Sequence, residues 1–269
     1  MAEELRCDLV FEGGGVKGAA LAGAAGRLTS RGFDAQPVGG SSAGAIVAAL
    51  YAAGYRDEAE LRQVLLDVPF ASFRDRSWFD HVPVVGPLAS VIGDLGIYEG
   101  EALEQWMRAM LGAKGVRTFG DLRIDPQRDG FDHRCQIVVA DLTDRRVLVL
   151  PRDAARLGLD PDEIDIARVV RASAAIPFFF EPVRFADGRG GPDHVLVAGG
   201  LLSNFPVWLF DVDGVPRWPT FGINLVAGDC RRTPLEHASP EVVPTGAHGL
   251  IEHVRSVIGT LIEARDKLA

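Results

Sequence analysis

Two glycine-rich turns, each set between a short apolar run and a stretch of small residues, limit this chain's fold more than any other feature. The first, Gly13-Gly14-Gly15-Val16-Lys17-Gly18, follows an apolar run at 8–12 and precedes an Ala-rich segment at 19–28. The second, Gly39-Gly40-Ser41-Ser42-Ala43-Gly44, follows residues 36–38 and precedes another Ala-rich segment that runs to Ala53, with Gly54 as its cap. Apolar runs this short and bounded by glycine suit buried strands, and helices built of small residues pack closely on a sheet. Strand, tight turn and helix in repetition predict an α/β class with a largely parallel central sheet flanked by helices.

The remaining pattern agrees with that class. Residues 57–68, 101–111 and 164–172 carry helical signals, and 136–140, 147–150, 195–197 and 221–226 read as strands. Residues 70–98 mix Phe73, Trp78, Phe79, Val84, Val85, Leu88 and Ile92 with Pro, Gly, Arg and Asp and show no clean period. Such a stretch reads either as a long excursion, a lid or rim with Trp78 and Phe79 as the rings to insert at an apolar boundary, or as a segment that folds back to finish the core. At 249–268, Leu250, Val254, Val257, Ile258, Leu261 and Ile262 form one helical stripe that suits a core, with membrane or partner docking as the other reading. No linker composition interrupts the chain, so residues 1–269 are read as one domain.

Composition excludes several classes. With 269 residues, 47% hydrophobic and 24% charged, the chain can bury a full core and is not disordered. A formal charge of −9 disfavours nucleic acid as a partner. Cys7, Cys135 and Cys230 are odd in number and far apart, which gives no zinc spacing and no disulfide framework, and a reducing compartment fits. The acidic start lacks a signal-peptide pattern, and no run approaches the roughly 18 apolar residues of a membrane span. The expectation is a cytoplasmic protein whose membrane contact is peripheral.

The second turn, Gly40 to Gly44, fits G-x-S-x-G between a strand and a helix. Small neighbours there let the middle serine, Ser42, project from a sharp turn, and the following helix N-terminus favours an oxyanion. Ser41 is the competing nucleophile but does not hold the middle position. The first turn fits two readings. It matches the dinucleotide fingerprint G-x-G-x-x-G, with Asp34 near the ribose-binding spacing, although Asp34 is expected in a turn at 32–35. It also suits a nest of backbone N–H groups for a negative oxygen. The nearby serine turn favours the second reading, because acyl transfer needs both parts in one site.

These segments, together with Ala198-Gly199-Gly200-Leu201-Leu202-Ser203-Asn204-Phe205-Pro206, resemble the patatin-like phospholipases over residues 8–226. The resemblance implies a lipid acyl hydrolase without a cofactor, acting on a lipid or membrane-surface substrate. It implies Ser42 as nucleophile, Gly13, Gly14 and Gly15 as the oxyanion hole, and Lys17, Gly18, Gly40, Gly44, Gly199 and Gly200 as supporting residues. The family completes a Ser–Asp dyad with an aspartate just before the Gly-Gly pair. Here that place holds Ala198, which has no proton acceptor.

No neighbour is expected to substitute. His194 would share the face of residue 198 on a strand but lie about 13 Å away at roughly 3.3 Å per residue, and Asp193 lies farther on the other face. The chain is therefore expected to be catalytically idle, either as an engineered variant, favoured by the intact surroundings, or as a natural pseudoenzyme. Two alternatives stand beside it: a non-catalytic lipid- or protein-binding module of the same fold, and a membrane-degrading effector in bacterial defence or toxicity. By the resemblance the family continues beyond residue 269, so a shortened C-terminus is also expected. The six histidines offer no i, i+4 pair, so no metal is expected. The run Phe178-Phe179-Phe180 suits a core or an acyl-pocket wall.

Overall fold

In β1 (Leu5–Phe11), Cys7, Leu9 and Phe11 enter one core while Val10 enters a second core on the opposite face, as a side-chain period of two requires. The computed structural model describes residues 5–14, 18–67, 100–124, 131–177 and 179–225. Within them β1 is followed by α1 (Ala19–Ser30), β2 (Phe33–Ser41), α2 (Ala43–Ala52), α3 (Glu58–Leu66) and α4 (Glu101–Gly112). Then come β3 (Cys135–Asp141), β4 (Arg146–Leu150), α5 (Ile166–Ala174), β5 (Val183–Phe185), β6 (His194–Ala198) and β7 (Thr220–Ile223).

The strands form one seven-stranded sheet. β7, β1, β2 and β3 are parallel neighbours, whereas β4 and β6 run antiparallel to β3, and β5 antiparallel to β6. Five strands (β1, β2, β3, β5 and β7) therefore share one direction and two oppose it. This is the expected α/β class with a mostly parallel, mixed sheet flanked by helices.

β3 divides one of its edges between two partners. β4 covers the other edge without a break from Ile137 to Asp141. β2 pairs with Cys135–Val138 and stops at Ser41. β6 arrives from the opposite direction and pairs with Val139–Asp141. Since β4 already fills one edge at both Val138 and Val139, β2 and β6 lie on the same opposite edge. Their C-terminal ends meet there.

Helix α2 has all ten residues buried. Its Ala and Gly positions allow close approach to β2 and β3, and a helix apolar on every side belongs in the interior. Helix α4 buries Leu103, Met107 and Leu111, spaced i, i+4, i+8. The side chain of Asp57 caps α3 by accepting the N–H groups of Ala59 and Glu60 at 3.0 Å each.

The largest local differences from expectation fall at two strands. β2 spans nine residues instead of three, so Asp34 lies on a strand and not in a turn; pairing with β1 and β3 supplies hydrogen bonds that local composition does not reveal. β5 was not foreseen, because three residues carry no period and its order comes from pairing with β6. The expectations at 70–98 and 249–268 lie outside the described residues. Among the described residues, no helix is long and apolar enough to cross a membrane.

Candidate active site

Ser42 stands between β2 and α2 with φ 53° and ψ −120°, an unusual backbone state for a residue with a side chain, of a kind that costs about 1–3 kcal/mol and persists only when neighbours enforce it. The enforcement is visible. A Cβ on Gly44 would lie 2.3 Å from the Phe11 carbonyl oxygen, and one on Gly40 would lie 2.6 Å from the Gly44 backbone. The end of β1 therefore presses against the turn, and only glycine fits on either side of the serine pair.

Ser173 completes the support. The Ser42 N–H donates to Ser173 Oγ at 2.9 Å, and that hydroxyl donates to the Val138 carbonyl at 2.6 Å. Ser173 is fully buried. It ties α5 to the turn and to β3 at once.

The first glycine turn packs directly over Ser42. A Cβ on Gly13 would lie 3.2 Å from Ser42 Cβ and 2.3 Å from Asn204 Oδ1. Gly13 is also held by two hydrogen bonds: its N–H donates to the Asn204 carbonyl at 2.9 Å, and Asn204 Nδ2 donates to the Gly13 carbonyl at 2.9 Å. The Gly13 N–H is therefore directed to the Asn204 carbonyl. The Gly14 N–H has no acceptor among the described residues, while Gly15 and Lys17 lie outside them. Gly18 caps the start of α1.

Residue 198 reaches the same place from across the sheet. Ala198 is buried, and its N–H donates to the Ala175 carbonyl at 2.9 Å, just beyond the end of α5. A Cβ on Gly199 would lie 2.2 Å from the Val138 carbonyl oxygen and 2.8 Å from Ser41 Oγ, and one on Gly200 2.8 Å from Asn204 Oδ1. The glycine pair is thus required by close approach to β3 and to Asn204.

The two serines are distinguished by burial and by face. Ser42 is half-buried, whereas Ser41 is fully buried and its Oγ has no hydrogen-bond partner among the described residues. Ser41 pairs with Val138 and Ala198 with Val139. Opposed residues share a face and successive residues alternate, so Ser41 points to the side of the sheet away from residue 198.

Other titratable groups lie elsewhere. His194 begins β6, at the end away from Ala198, and its Nδ1 lies 2.8 Å from Asp141 Oδ2. Asp144 brings a third ligand-type atom, all within 4.8 Å of one another. The other Asp141 oxygen accepts the Thr143 N–H at 2.9 Å, so the pair fastens the β3–β4 turn to β6. Asp34 sits at the start of β2, away from the glycine turn, and is engaged by Arg56 at 2.7 Å and by Gln36. Burial pushes its carboxyl up, but these partners outweigh burial and hold it below the usual range. Nothing there favours a ribose contact.

Ser173 and Asn204 were not singled out by sequence. Ser173 had a usable signal: with Ile166, Val169 and Val170 it lies on the i, i+3, i+4, i+7 face of α5, a polar residue on a buried stripe. Asn204 offered none beyond its place after the glycine pair.

The family model for the patatin-like phospholipases matches residues 9–211. The chain is 40% identical over 226 residues to the uncharacterized protein YqhO of Bacillus subtilis strain 168, covering 84% of this chain and 73% of that protein. A shorter match, 34% identical over 85 residues, covers 26% of this chain and 13% of the RpoH suppressor of Rhizobium meliloti strain 1021. Among solved structures, VipD from Legionella pneumophila is similar with a TM-score of 0.48 and 20% identity, over 80% of this chain and 49% of that one. ExoU of Pseudomonas aeruginosa, in its complex with SpcU, has a TM-score of 0.43 and 21% identity, over 65% of this chain and 39% of that one. The chain spans about half the length of VipD.

Proposed function

The chain belongs to the patatin-like phospholipase family, and from that premise we propose that it is a single-domain lipid acyl hydrolase in which the base of a Ser–Asp dyad is replaced by Ala198. The observation that carries this reading is the meeting of β2 and β6 on one edge of β3, which brings residue 198 beside the Ser42 turn. An aspartate at 198 would take the proton of Ser42 Oγ as that oxygen attacks an ester carbonyl of a lipid. The tetrahedral oxyanion would be held by backbone N–H groups of Gly14 and Gly15 and by the N-terminus of α2. Collapse would pass that proton from the carboxylic acid to the departing oxygen, release a lysolipid or an alcohol and leave an acyl-serine, which water then hydrolyses with the regenerated carboxylate as base. The substrate is a lipid at a membrane surface, reached by peripheral contact, and the reaction needs no cofactor.

With a methyl group at 198 the first proton transfer has no acceptor. Loss of one member of a serine catalytic unit costs about 10⁴ or more in kcat, so the chain retains the fold and the oxyanion loop with little turnover. This same methyl group favours the second reading, a module that binds lipid or protein without hydrolysing.

The test compares the chain with Ala198→Asp on a defined phospholipid, reading released fatty acid by mass spectrometry. The dyad reading expects a gain of about 10⁴ in turnover, abolished when Ser42→Ala is added. Turnover within about tenfold of the parent, in a variant that folds, would leave the binding-module reading in its place.

A further inference from the structure

A groove of about 550 Å³ between α4, α5 and the start of β5 is lined by five arginines and three acidic residues, although the whole chain has a formal charge of −9. Two of the three carboxylates there, Asp165 and Glu104, are already shared, and the third, Glu181, is exposed. Asp165 Oδ2 accepts from Arg108 Nε at 3.2 Å and Nη2 at 3.0 Å and lies 3.7 Å from Arg117 Nε, while Oδ1 accepts the Arg168 backbone N–H. Glu104 accepts from Arg108 on one oxygen at 2.8 Å and from Arg171 on the other at 3.2 Å.

Two guanidiniums remain without a carboxylate among the described residues. Arg168 is exposed but fixed: its Nη2 donates to the Arg184 carbonyl, and its guanidinium lies 4.7 Å from the centre of the Phe185 ring. Arg184 is exposed beside it. A guanidinium held by stacking and by one backbone bond keeps its other N–H groups directed and available. Five positive groups against three negative ones leave an excess of two, in a concave site, with forked donors that match a tetrahedral oxyanion.

We propose that this groove is an anion site for a phosphomonoester dianion, the group carried by phosphatidic acid or by a soluble sugar or glycerol phosphate. The charge excess matches a dianion, and the fixed Arg168 guanidinium with the exposed Arg184 guanidinium beside it offers forked donors to its terminal oxygens. Helix α5 then has two duties, Ser173 on its buried face against the Ser42 turn and Arg168 on its exposed face toward the anion. Binding here does not depend on turnover at Ser42.

The test uses the chain as it stands, at low ionic strength where exposed charges are least screened. Glycerol 3-phosphate is titrated by calorimetry, and sedimentation measures recruitment to phosphatidylcholine vesicles containing phosphatidic acid or an equal surface charge of phosphatidylglycerol. The expected result is binding of glycerol 3-phosphate, preference for phosphatidic acid over the diester phosphatidylglycerol, and a loss of about tenfold or more in both with Arg168→Gln plus Arg184→Gln. Arg184→Gln alone, which removes no described side-chain contact, guards against a folding defect and should itself weaken binding. Arg156→Gln plus Arg189→Gln removes the same charge outside the groove and should leave binding unchanged. Soluble binding without vesicle recruitment supports the site and makes a soluble phosphomonoester its source. No binding of either probe, equal recruitment by phosphatidylglycerol, or equal loss in the control variant overturns the proposal.

Discussion

Ser41 and Ala198, 157 residues apart in sequence, stand opposite consecutive residues of β3, Val138 and Val139, on a single edge of that strand. One strand residue corresponds to about 3.3 Å of rise. The relationship arises because β2 ends at the Ser42 turn and leaves the second half of the β3 edge open. β6 fills it from the other direction. A carboxylate introduced at 198 would enter a nearly dry position bounded by β3 and by the segment after α5, and its chemistry follows from that burial.

The Ala198→Asp variant is expected to be less stable than the parent and to titrate abnormally. Burial disfavours the charged carboxylate and raises its pKa. The group is raised in the folded state relative to the unfolded one, so the variant's relative stability should fall as pH rises through the ordinary aspartate range. Urea unfolding of both proteins at pH 4 and pH 7 measures this: the deficit should be larger at pH 7. The acid limb of the turnover–pH profile should likewise lie above the ordinary aspartate value. An identical stability deficit at the two pH values would mean that the carboxylate turns to solvent.

Replacing Ser173 with alanine should disturb the Ser42 turn directly. The change leaves the Ser42 N–H without its partner and the Val138 carbonyl without the hydroxyl donor. One orphaned buried group costs about 1–3 kcal/mol, so a loss of about 2 kcal/mol or more by urea unfolding is expected. In the Ala198→Asp background, kcat on a soluble ester should fall with KM little changed, because the turn and not the binding surface is altered. A fully stable Ser173→Ala protein would show that water replaces the hydroxyl.

The two described cysteines should be silent toward thiol reagents in the native protein. Burial, with a further push from the nearby Asp8 carboxylate, raises the Cys7 thiol to about 12. Cys135 is fully buried and is raised by burial alone. Reaction needs the thiolate, so Ellman's reagent at pH 8 should modify neither residue until urea unfolds the chain. Mass mapping of a native adduct on Cys7 or Cys135 would contradict this packing.

Asp162 should contribute to the acid limb of stability. A hydrogen bond with His133 Nε2 at 2.7 Å, then Arg123, holds its carboxyl below the ordinary 3.8. A depressed carboxyl stabilises the fold above the unfolded value and loses that contribution as pH falls through the lower folded value. Asp162→Asn should therefore be less stable than the parent near neutral pH, with the difference shrinking below about pH 4. Thermal unfolding at pH 7 and pH 3 checks it, and a difference that grows in acid would reverse the assignment.

Sequence by itself determined what is local. The glycine spacing fixed two strand–turn–helix units, and the small residues of α2 marked a helix that must be buried. The middle place of Ser42 in its turn was legible because the strained backbone and the glycines that permit it lie within five consecutive residues. Tertiary structure decided the rest. Ser173 supports Ser42 across 131 residues, and Asn204 holds Gly13 across 191. β5 exists only because β6 offers it an edge, and residue 198 lies beside the serine turn only because β2 stops where β6 begins. Periodicity describes the faces of one element; the edge that a strand occupies, and the distant hydroxyl or amide that satisfies a buried N–H, are chosen when the sheet closes and each buried polar group must find a partner.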